Sequence, residues 1–347
     1  MALVCVDPRN DGAWNRLVER VRSSVFHSPE WMQVLTDTYG WEPRAHVILD
    51  EHGEPQAGLP FFRIEDMLGE RIVSLPFSDY CDPLAGDDDT WRTLIGQLIP
   101  SHLPITVRCL HNELPLTDER FRLSKQAKWH RLDVRQDSEK LWSQMHDSTH
   151  RAIRKSQREG LIVHVDVSEE GLRAFFEMHL RIRKYKYGLL AQPYSFFQNI
   201  WRRFVEPGHG FLLLAMFENK IVAGDFFLVW KDTLYYKFNA SLFDGLAHRP
   251  NDLLIWEGIQ RAKELGLAYL DFGLSDIDQE GLIRYKRKFG TEESTISFLR
   301  YEPNGGPTRA EKEIRELLGK LTHRFTDQLV PDLVTERAGE DLYRLFS

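Results

Sequence analysis

Residues 211–241 have the sequence FLLLAMFENKIVAGDFFLVWKDTLYYKFNAS, and this stretch decides the fold. Three apolar segments follow one another, separated by the polar breaks at 218–220 and 231–232. Short aliphatic and aromatic runs interrupted by turn residues predict adjacent antiparallel strands. We expect the first connection to be a tight turn at Asn219-Lys220.

The residues after this stretch predict a helix and one further strand. The segment LLIWEGIQRAKELG (253–266) has one apolar helical face, formed by Ile255, Ile259, Ala262 and Leu265, and Gly266 supplies a left-handed stop. AYLDFGLS (268–275) then has the apolar character of a strand. The second half of the chain is therefore predicted to contain a strand meander, a helix and a returning strand.

The first half of the chain repeats this order at matched spacing. The corresponding segments are SPEW (28–31), AHVILDEHGEPQAGLPFFRI (45–64), RIVSLPF (71–77) and WRTLIGQLI (91–99). Pro29 precedes Ala57 by 28 positions, and Pro193 precedes Ala223 by 30. Ordered landmarks at similar intervals indicate a duplicated α+β unit.

The 347 residues have 42% hydrophobic and 12% aromatic positions, enough for two cores. We expect a first domain at 1–145, a second at 146–302 and a C-terminal helical appendage at 303–347. Nothing in the sequence specifies the oligomeric state.

The charge distribution excludes a uniformly basic nucleic-acid-binding protein, so no DNA partner is expected. The net charge is −7, and residues 1–140 carry all of it, with 16 Lys and Arg against 23 Asp and Glu. An anionic ligand is therefore more probable in the second half. The three cysteines, Cys5, Cys81 and Cys109, lack CxxC spacing, so neither a disulfide scaffold nor a metal site is expected. Without a readable signal peptide or apolar span, the expected location is cytoplasmic, with at most peripheral membrane contact.

Several segments together resemble the FemABX/BioF2-like acyltransferase family, whose members have tandem GNAT-like domains. They are HSPEWMQVL (27–35), LPFSDYCDPLAG (75–86), RAIRKSQREGL (151–161), VAGDFFLVWKDTLYYKFNAS (222–241), RPNDLLIWEGIQRAKELGLAYLDFG (249–273) and GLIRYKRKFG (281–290). The resemblance implies a mixed α/β (α+β) fold with two GNAT-like N-acyltransferase domains. Each would have a mixed, mostly antiparallel sheet flanked by helices.

The resemblance also implies transfer of an acyl or aminoacyl group to an amine. The co-substrate would be acyl-CoA or aminoacyl-tRNA, with no tightly bound cofactor, and the acceptor a cell-envelope precursor, a polysaccharide or a small metabolite. One alternative is a Fem-type enzyme that uses tRNA to modify a UDP- or lipid-linked peptidoglycan precursor in cell-wall biogenesis. Fem enzymes of that type carry a long helical hairpin, and nothing comparable interrupts the second repeat here. A non-catalytic GNAT-like binding module is the other alternative.

The carrier of the acyl group is expected at the start of the helix at 250–264, where Arg249 and Asn251 lie. Backbone N–H groups at a helix start hold pyrophosphate in GNAT enzymes. This loop keeps the leading Arg but lacks the two glycines of the family pattern. A plain helix start with Pro250 and a cap from Asn251 or Asp252 fits the same letters.

The run 281–290 contains four cations within two turns: Arg284, Lys286, Arg287 and Lys288. The resemblance places Lys286 near the acyl-transfer centre, where it would stabilise the oxyanion or a carrier phosphate. Arg284 would bind phosphate, whereas Arg287 fits a solvated face. From this we expect that Lys286→Ala lowers turnover and leaves the melting temperature nearly unchanged.

Two further residues of the second repeat are candidate catalytic groups. Asp271 is a carboxylate in an apolar strand, which suits a general base or an ion pair with Lys286 or Arg284. Tyr235 and Tyr236 point to opposite faces of their strand, and we assign Tyr236 to the site.

Two more groups complete the predicted site. Arg151, Arg154, Lys155 and Arg158 share one helical face, which fits a diphosphate, a tRNA backbone or a solvated surface. Asp79 and Tyr80 match the family wording and would line the acceptor pocket, expected in a cleft between the two domains. Because no nucleophile motif is present, direct attack in a ternary complex is the expected mechanism.

Overall fold

The computed structural model describes residues 2–303 and 305–347, and the chain divides into two compact units. Unit 1 comprises Met1–Ala127, Thr295–Leu321 and Arg344–Ser347, and unit 2 comprises Lys128–Ser294 and Thr322–Tyr343. The domain boundaries at 145/146 and 302/303 remain predictions. No helix in the described part of the chain has the length and apolar character needed to cross a membrane.

The strands are β1 (Ala2–Val6), β2 (Pro43–Leu49), β3 (Pro55–Asp66), β4 (Gly69–Val73), β5 (Ile105–Cys109), β6 (Phe121–Asp133), β7 (Ile162–Asp166), β8 (Gly210–Phe217), β9 (Lys220–Trp230), β10 (Thr233–Ser241), β11 (Tyr269–Asp276) and β12 (Glu292–Tyr301). The helices are α1 (Gly12–Arg20), α2 (Pro29–Tyr39), α3 (Asp88–Gly96), α4 (Leu114–Thr117), α5 (Ser138–Gln144), α6 (Asp147–Arg158), α7 (Glu169–Tyr185), α8 (Tyr194–Ile200), α9 (Pro250–Glu264), α10 (Glu280–Arg287), α11 (Arg309–Phe325) and α12 (Asp332–Leu342). A π-helical turn at Trp201–Val205 continues α8.

Unit 1 is built on a meander with one parallel crossover. Strands β1, β2, β3 and β4 pair antiparallel in that order, and β4 pairs parallel with β5. The crossover helix α3 begins at its N-cap Asp87, whose side chain accepts from the Thr90 amide. Its apolar face packs Trp91 and Leu94 into a core formed with the strands.

Unit 2 has the same arrangement. Strands β7, β8, β9 and β10 pair antiparallel in order, and β10 pairs parallel with β11 after the crossover helix α9. Leu254, Ile255 and Ile259 of α9 are fully buried against these strands. The fold class predicted from the sequence, two tandem GNAT-like units with mixed and mostly antiparallel sheets, is confirmed.

A glycine marks the same position in each repeat. Gly58 of β3 pairs with Val47, and Gly224 of β9 pairs with Leu214. A Cβ at Gly58 would lie 2.7 Å from Leu17 of α1, and a Cβ at Gly224 would lie 3.0 Å from Phe175 of α7. Each glycine therefore lets a helix approach its strand closely, which explains why both repeats carry Ala-Gly there.

Two local expectations were wrong. The β8–β9 turn consists of Glu218 and Asn219, both at positive φ, so Lys220 already belongs to β9. This pair of left-handed residues is the geometry of a type I′ turn, which suits the twist of the strands. The N-cap of α9 is Arg249, itself left-handed at φ 59°, and its side chain makes no capping bond. Asn251 and Asp252 therefore lie inside the first turn and do not cap it.

Candidate functional site

The two parallel strands of unit 2 pair over a short distance and then separate. The paired residues of β10 and β11 are Thr233 with Tyr269, Leu234 with Leu270, and Tyr235 with Asp271. Strand β10 continues to Ser241 and has a bulge between Tyr236 and Phe238. The gap that opens beyond Tyr235 and Asp271 is where side chains of both strands and of α10 converge.

Lys286 and Asp271 both bind the backbone of Gly273, just beyond the paired residues of β10 and β11. The Lys286 Nζ donates to the carbonyl oxygens of Gly273 at 3.0 Å and Leu274 at 2.9 Å. The Gly273 N–H donates to Asp271 Oδ1 at 2.6 Å, and the Trp129 indole N–H donates to the same oxygen at 2.8 Å. Gly273 is left-handed at φ 66°, a conformation that favours glycine. Both predicted residues are therefore buried groups that fix the shape of β11, and their catalytic roles stay predictions.

Tyr236 lies beside this point on the face of the sheet that α9 covers. Its ring is 5.7 Å from Phe227 and 6.1 Å from Phe272 between centroids. The residue is half-buried, whereas Tyr235 is buried. Burial and the nearby Asp225 carboxyl raise the pKa of Tyr236 well above its usual value. Tyr236 is thus a half-buried, neutral hydroxyl at the sheet face.

Asp225 is a site residue that the sequence analysis missed. It is fully buried in β9, and its Oδ1 accepts from Asn239 Nδ2 at 2.6 Å. Its Oδ2 has no hydrogen-bond partner among the described residues. Burial raises the pKa of Asp225 to about 8. The signal was present in VAGDFF, because a carboxylate inside an apolar strand is the same pattern that drew attention to Asp271.

Helix α6 makes hydrogen bonds to the loop before α9. The predicted cations of α6 therefore lie near the predicted carrier residues Arg249 and Asn251. The Lys155 Nζ donates to the carbonyl of Ala247 at 2.7 Å. The Ser156 hydroxyl lies 2.8 Å from the His248 carbonyl and 2.9 Å from that of Arg249. Arg249 is exposed, and Asn251 reaches inward, its Oδ1 accepting from Asn239 at 3.4 Å. Cations of α6 therefore border the loop where a carrier was expected.

The remaining cations differ in their surroundings. Arg151 and Arg154 of α6 are exposed or nearly so, and the Arg154 guanidinium lies 5.7 Å from the centre of the Trp142 ring. Arg284 is exposed on α10. Arg287 pairs with Glu293 at 2.6 Å, which agrees with its expected solvated role. The four cations of the predicted basic run are therefore an exposed arginine, a buried lysine, a paired arginine and the half-buried Lys288 at the end of α10.

The same glutamate anchors a buried histidine near Lys286. His130 Nε2 lies 3.2 Å from Glu293 Oε2, and Lys128 reaches the other Glu293 oxygen at 3.0 Å. Burial, reinforced by the Lys286 charge, lowers the pKa of His130 to about 4. His130 is therefore neutral at physiological pH.

The two candidate acceptor residues lie in unit 1. Tyr80 is buried, with its ring edge-on to Phe26 at 5.5 Å and to His111 at 5.7 Å. Asp79 is half-buried and acts electrostatically on Arg108, which donates to the Ser78 carbonyl at 2.5 Å. The next acid, Asp82, accepts three backbone N–H bonds, from residues 110–112. An acceptor role for Asp79 and Tyr80 remains a prediction.

Residues 2–303 and 305–347 contain no group of three or more His, Cys, Asp or Glu side chains arranged to hold a metal ion. His146 instead caps α6 by accepting from the Ser148 N–H, and His150 Nε2 lies 2.6 Å from the Trp142 carbonyl.

Comparison with known proteins shows which folds and families this chain resembles. Residues 143–287 match the model of the acetyltransferase (GNAT) domain family. A search of the curated proteins found no match. Among solved structures, FemX is similar over 91% of this chain and 99% of its own, with a TM-score of 0.66 and 14% identity.

Two other structures have the same fold. L-PGS from Bacillus licheniformis covers 92% of this chain and 99% of its own, with a TM-score of 0.57 and 14% identity. A tandem GNAT protein from the clavulanic acid biosynthesis pathway covers 88% and 99%, with a TM-score of 0.58 and 12% identity. Residues 143–287 thus match the GNAT acetyltransferase domain family, a match that supports an acyltransferase, and the chain has a tandem fold similar to that of FemX.

Proposed function

We propose that the chain is an N-acyltransferase that moves an acyl or aminoacyl group from an activated carrier to a primary amine. The acceptor would be a cell-envelope precursor, a polysaccharide intermediate or a small metabolite. The amine attacks the acyl carbonyl directly, in a complex that holds both substrates. The observation that carries this proposal is the separation of β10 and β11 beyond Tyr235 and Asp271, at the same edge as the start of α9.

The carrier's phosphate groups are assigned to the start of α9. Backbone N–H groups of the first helical turn point outward there, and the helix dipole favours an anion. Arg249 is exposed at this end, and Lys155 holds the preceding loop by its Ala247 carbonyl. Arg154 and Arg151 extend the positive surface along α6. This arrangement supports binding of a diphosphate without a glycine-rich loop.

Lys286 is assigned the positive charge that stabilises the developing oxyanion. Its ammonium is buried at the end of β11, so water screens its field only weakly. Because two carbonyls fix the ammonium, it does not need to reorganise during the reaction. Asp271 fixes the adjacent peptide N–H and so keeps this geometry.

The test is formation of an acylated amine. Purified protein is incubated with acetyl-CoA or alanyl-tRNA together with glucosamine, lysine or a UDP-linked muramyl pentapeptide, and products are identified by mass spectrometry. Arg249→Gln is expected to raise the KM for the carrier about tenfold with little change in kcat, since it removes a charge that binds both ground and transition state. The exposed Arg122→Gln in unit 1 is the matched control. Absence of an acylated product with either carrier would contradict the proposal.

A second candidate is transfer from aminoacyl-tRNA to a peptidoglycan precursor. The observation that favours it is the length of the positive face of α6, where Arg151, Arg154 and Arg158 extend past the diphosphate position. Such a row suits a polyanionic backbone. If this carrier is used, ribonuclease should abolish product formation, and the carrier's affinity should fall steeply with salt. Activity that survives ribonuclease identifies the acyl-CoA reaction instead.

A further inference from the structure

Among the buried polar atoms of unit 2 that have no hydrogen-bond partner in the described part of the chain, two belong to one cluster. One is Oδ2 of Asp225, and the other is the hydroxyl of Tyr285 on α10. Asp252 and the Asp225 carboxyl both act electrostatically on the Tyr285 hydroxyl. Buried polar atoms in native proteins are nearly always satisfied, so an unpaired acceptor beside an unpaired donor points to a ligand.

Tyr236 and Tyr187 border this cluster. Tyr236 is half-buried and feels the charges of Asp225 and of Tyr285, and Tyr187 acts on it from the segment after α7. Tyr187 is 50% exposed.

A hydrogen-bonded chain joins the cluster to the proposed carrier site. Asp225 accepts from Asn239, and the same Asn239 amide donates to Asn251 in the first turn of α9. The charged groups that act on neighbouring Asp252 are Lys288 and Arg249. Through Asn239, Asp225 is thus connected to the first turn of α9, where the carrier's phosphates would bind.

We propose that Asp225 and Tyr285 are the catalytic pair of unit 2, with Asp225 as the general base for the acceptor amine and Tyr285 as a donor to the acyl oxygen. This assignment rests on the proposed function. The amine nitrogen forms a bond to the acyl carbon, and the bond from that carbon to the carrier's sulfur or oxygen breaks. Asp225 Oδ2 takes one proton from the nitrogen and returns it to the departing thiolate or alkoxide through the Tyr236 hydroxyl. No oxidant or further reactant is required.

The chemistry matches the two unpaired atoms. An attacking amine loses a proton and needs an acceptor, which Asp225 Oδ2 supplies. The tetrahedral intermediate carries an oxyanion and needs a donor, which the Tyr285 hydroxyl supplies. The acceptor that fits these two groups is a primary amine.

The test compares Asp225→Asn and Tyr285→Phe with matched controls in the same unit. Glu257→Gln is the control for the acid, because burial also raises the pKa of the Glu257 carboxyl. Tyr194→Phe is the control for the tyrosine, since burial likewise raises the pKa of that phenol. Acetyl-CoA or alanyl-tRNA, whichever the wild type uses, is the donor probe, and its affinity is measured by calorimetry.

Both variants should lower kcat at least about 100-fold while the donor's dissociation constant stays within about threefold. The wild-type kcat/KM should rise with pH as Asp225 loses its proton near pH 8, and Asp225→Asn should abolish that rise. Variants within about threefold of their controls would overturn this assignment and leave the proposed function standing. A wild type that acylates no amine would overturn both.

Discussion

Lys286 is the residue whose surroundings differ most from what its sequence context suggests. It belongs to a run of four cations, which favours an exposed helix face, yet it is 2% exposed and bound to two carbonyls. A buried ammonium without these acceptors would be costly, so the carbonyls and the lysine depend on each other. The residue therefore has a structural task at the end of β11 in addition to its proposed charge.

This dual task changes the expected effect of substitution. Lys286→Met keeps the chain length but leaves the carbonyls of Gly273 and Leu274 without their donor. We expect the free energy of unfolding to fall by about 2–4 kcal/mol, so the melting temperature drops instead of staying unchanged. Thermal unfolding compared with Lys288→Met, a half-buried neighbour, checks this. Equal melting temperatures for the two variants would contradict the burial argument.

Asp225 gives the folded state a pH dependence of its own. Its pKa of about 8 in the fold lies above the value near 3.9 expected in the unfolded chain. The native state therefore binds the extra proton between these values, and stability falls as pH rises through that window, by up to about 1.4 kcal/mol per pH unit. Asp225→Asn should flatten the decline between pH 6 and pH 8. Urea unfolding of this variant against exposed Asp278→Asn measures it, and parallel curves would refute the assignment.

The sequence pattern could identify acids that are buried in strands, but it could not show which of them have hydrogen-bond partners in the fold. Asp225 and Asp271 both interrupt apolar strands, and only the fold shows that Asp271 has its bonds supplied by Trp129 and Gly273. Trp129 is 142 residues away in sequence, so no local pattern could reveal this contact. Lys286 was identified through the family resemblance, whereas its burial depends on tertiary packing.

At the level of elements, α6 acts as a clamp on the loop before α9. Ser156 is fully buried and lies within hydrogen-bond distance of the carbonyls of His248 and Arg249. Removing its hydroxyl frees the loop that we assign to the carrier. Ser156→Ala should weaken carrier binding about three- to tenfold, measured by calorimetry. Ser143→Ala, which removes an exposed hydroxyl from α5, should have no effect, and equal affinities would contradict the clamp.

Helix α12 is fastened to α7 by a buried lysine. The Lys184 side chain is fully buried, and its Nζ donates to Asp332 Oδ1 at 2.8 Å and to the Val330 carbonyl. Asp332→Asn leaves this ammonium without its counter-charge. We expect a loss of about 1–3 kcal/mol of stability and faster trypsin cleavage near α12. Exposed Asp341→Asn serves as the comparison, and identical digestion rates would argue against the anchor.

The order of strands and helices was predictable because each carries a clear apolar pattern. Helix α9 ends at Glu264, and Gly266 follows in the left-handed conformation at φ 69°, in agreement with the predicted stop. The β8–β9 turn was misplaced by one residue, since Glu218 adopts the left-handed conformation that its residue type disfavours. A helical appendage was expected at 303–347, but its division into α11 and α12 was not, and the ion pair of Lys184 with Asp332 at the start of α12 joins residues far apart in the sequence.

At the scale of the molecule, two units with one topology differ in their chemistry. In unit 1 the crossover helix α3 starts with Asp87, Asp88 and Asp89, and in unit 2 the crossover helix α9 starts after Arg249. Three carboxylates at a helix start repel phosphate. Only unit 2 should therefore bind the carrier, and calorimetry should give one carrier per chain. Two equivalent sites would contradict this division of roles.

The central claim is direct acyl transfer to an amine within unit 2, and one measurement tests it most directly. Wild-type protein and Asp225→Asn are mixed with an isotopically labelled donor, acetyl-CoA or alanyl-tRNA, and with the amine panel, and both product and protein are analysed by mass spectrometry. We predict label on the amine, none on the protein, and at least about 100-fold slower product formation by the variant. Label that accumulates covalently on the protein, or an amine that remains unlabelled with both donors, would contradict the account.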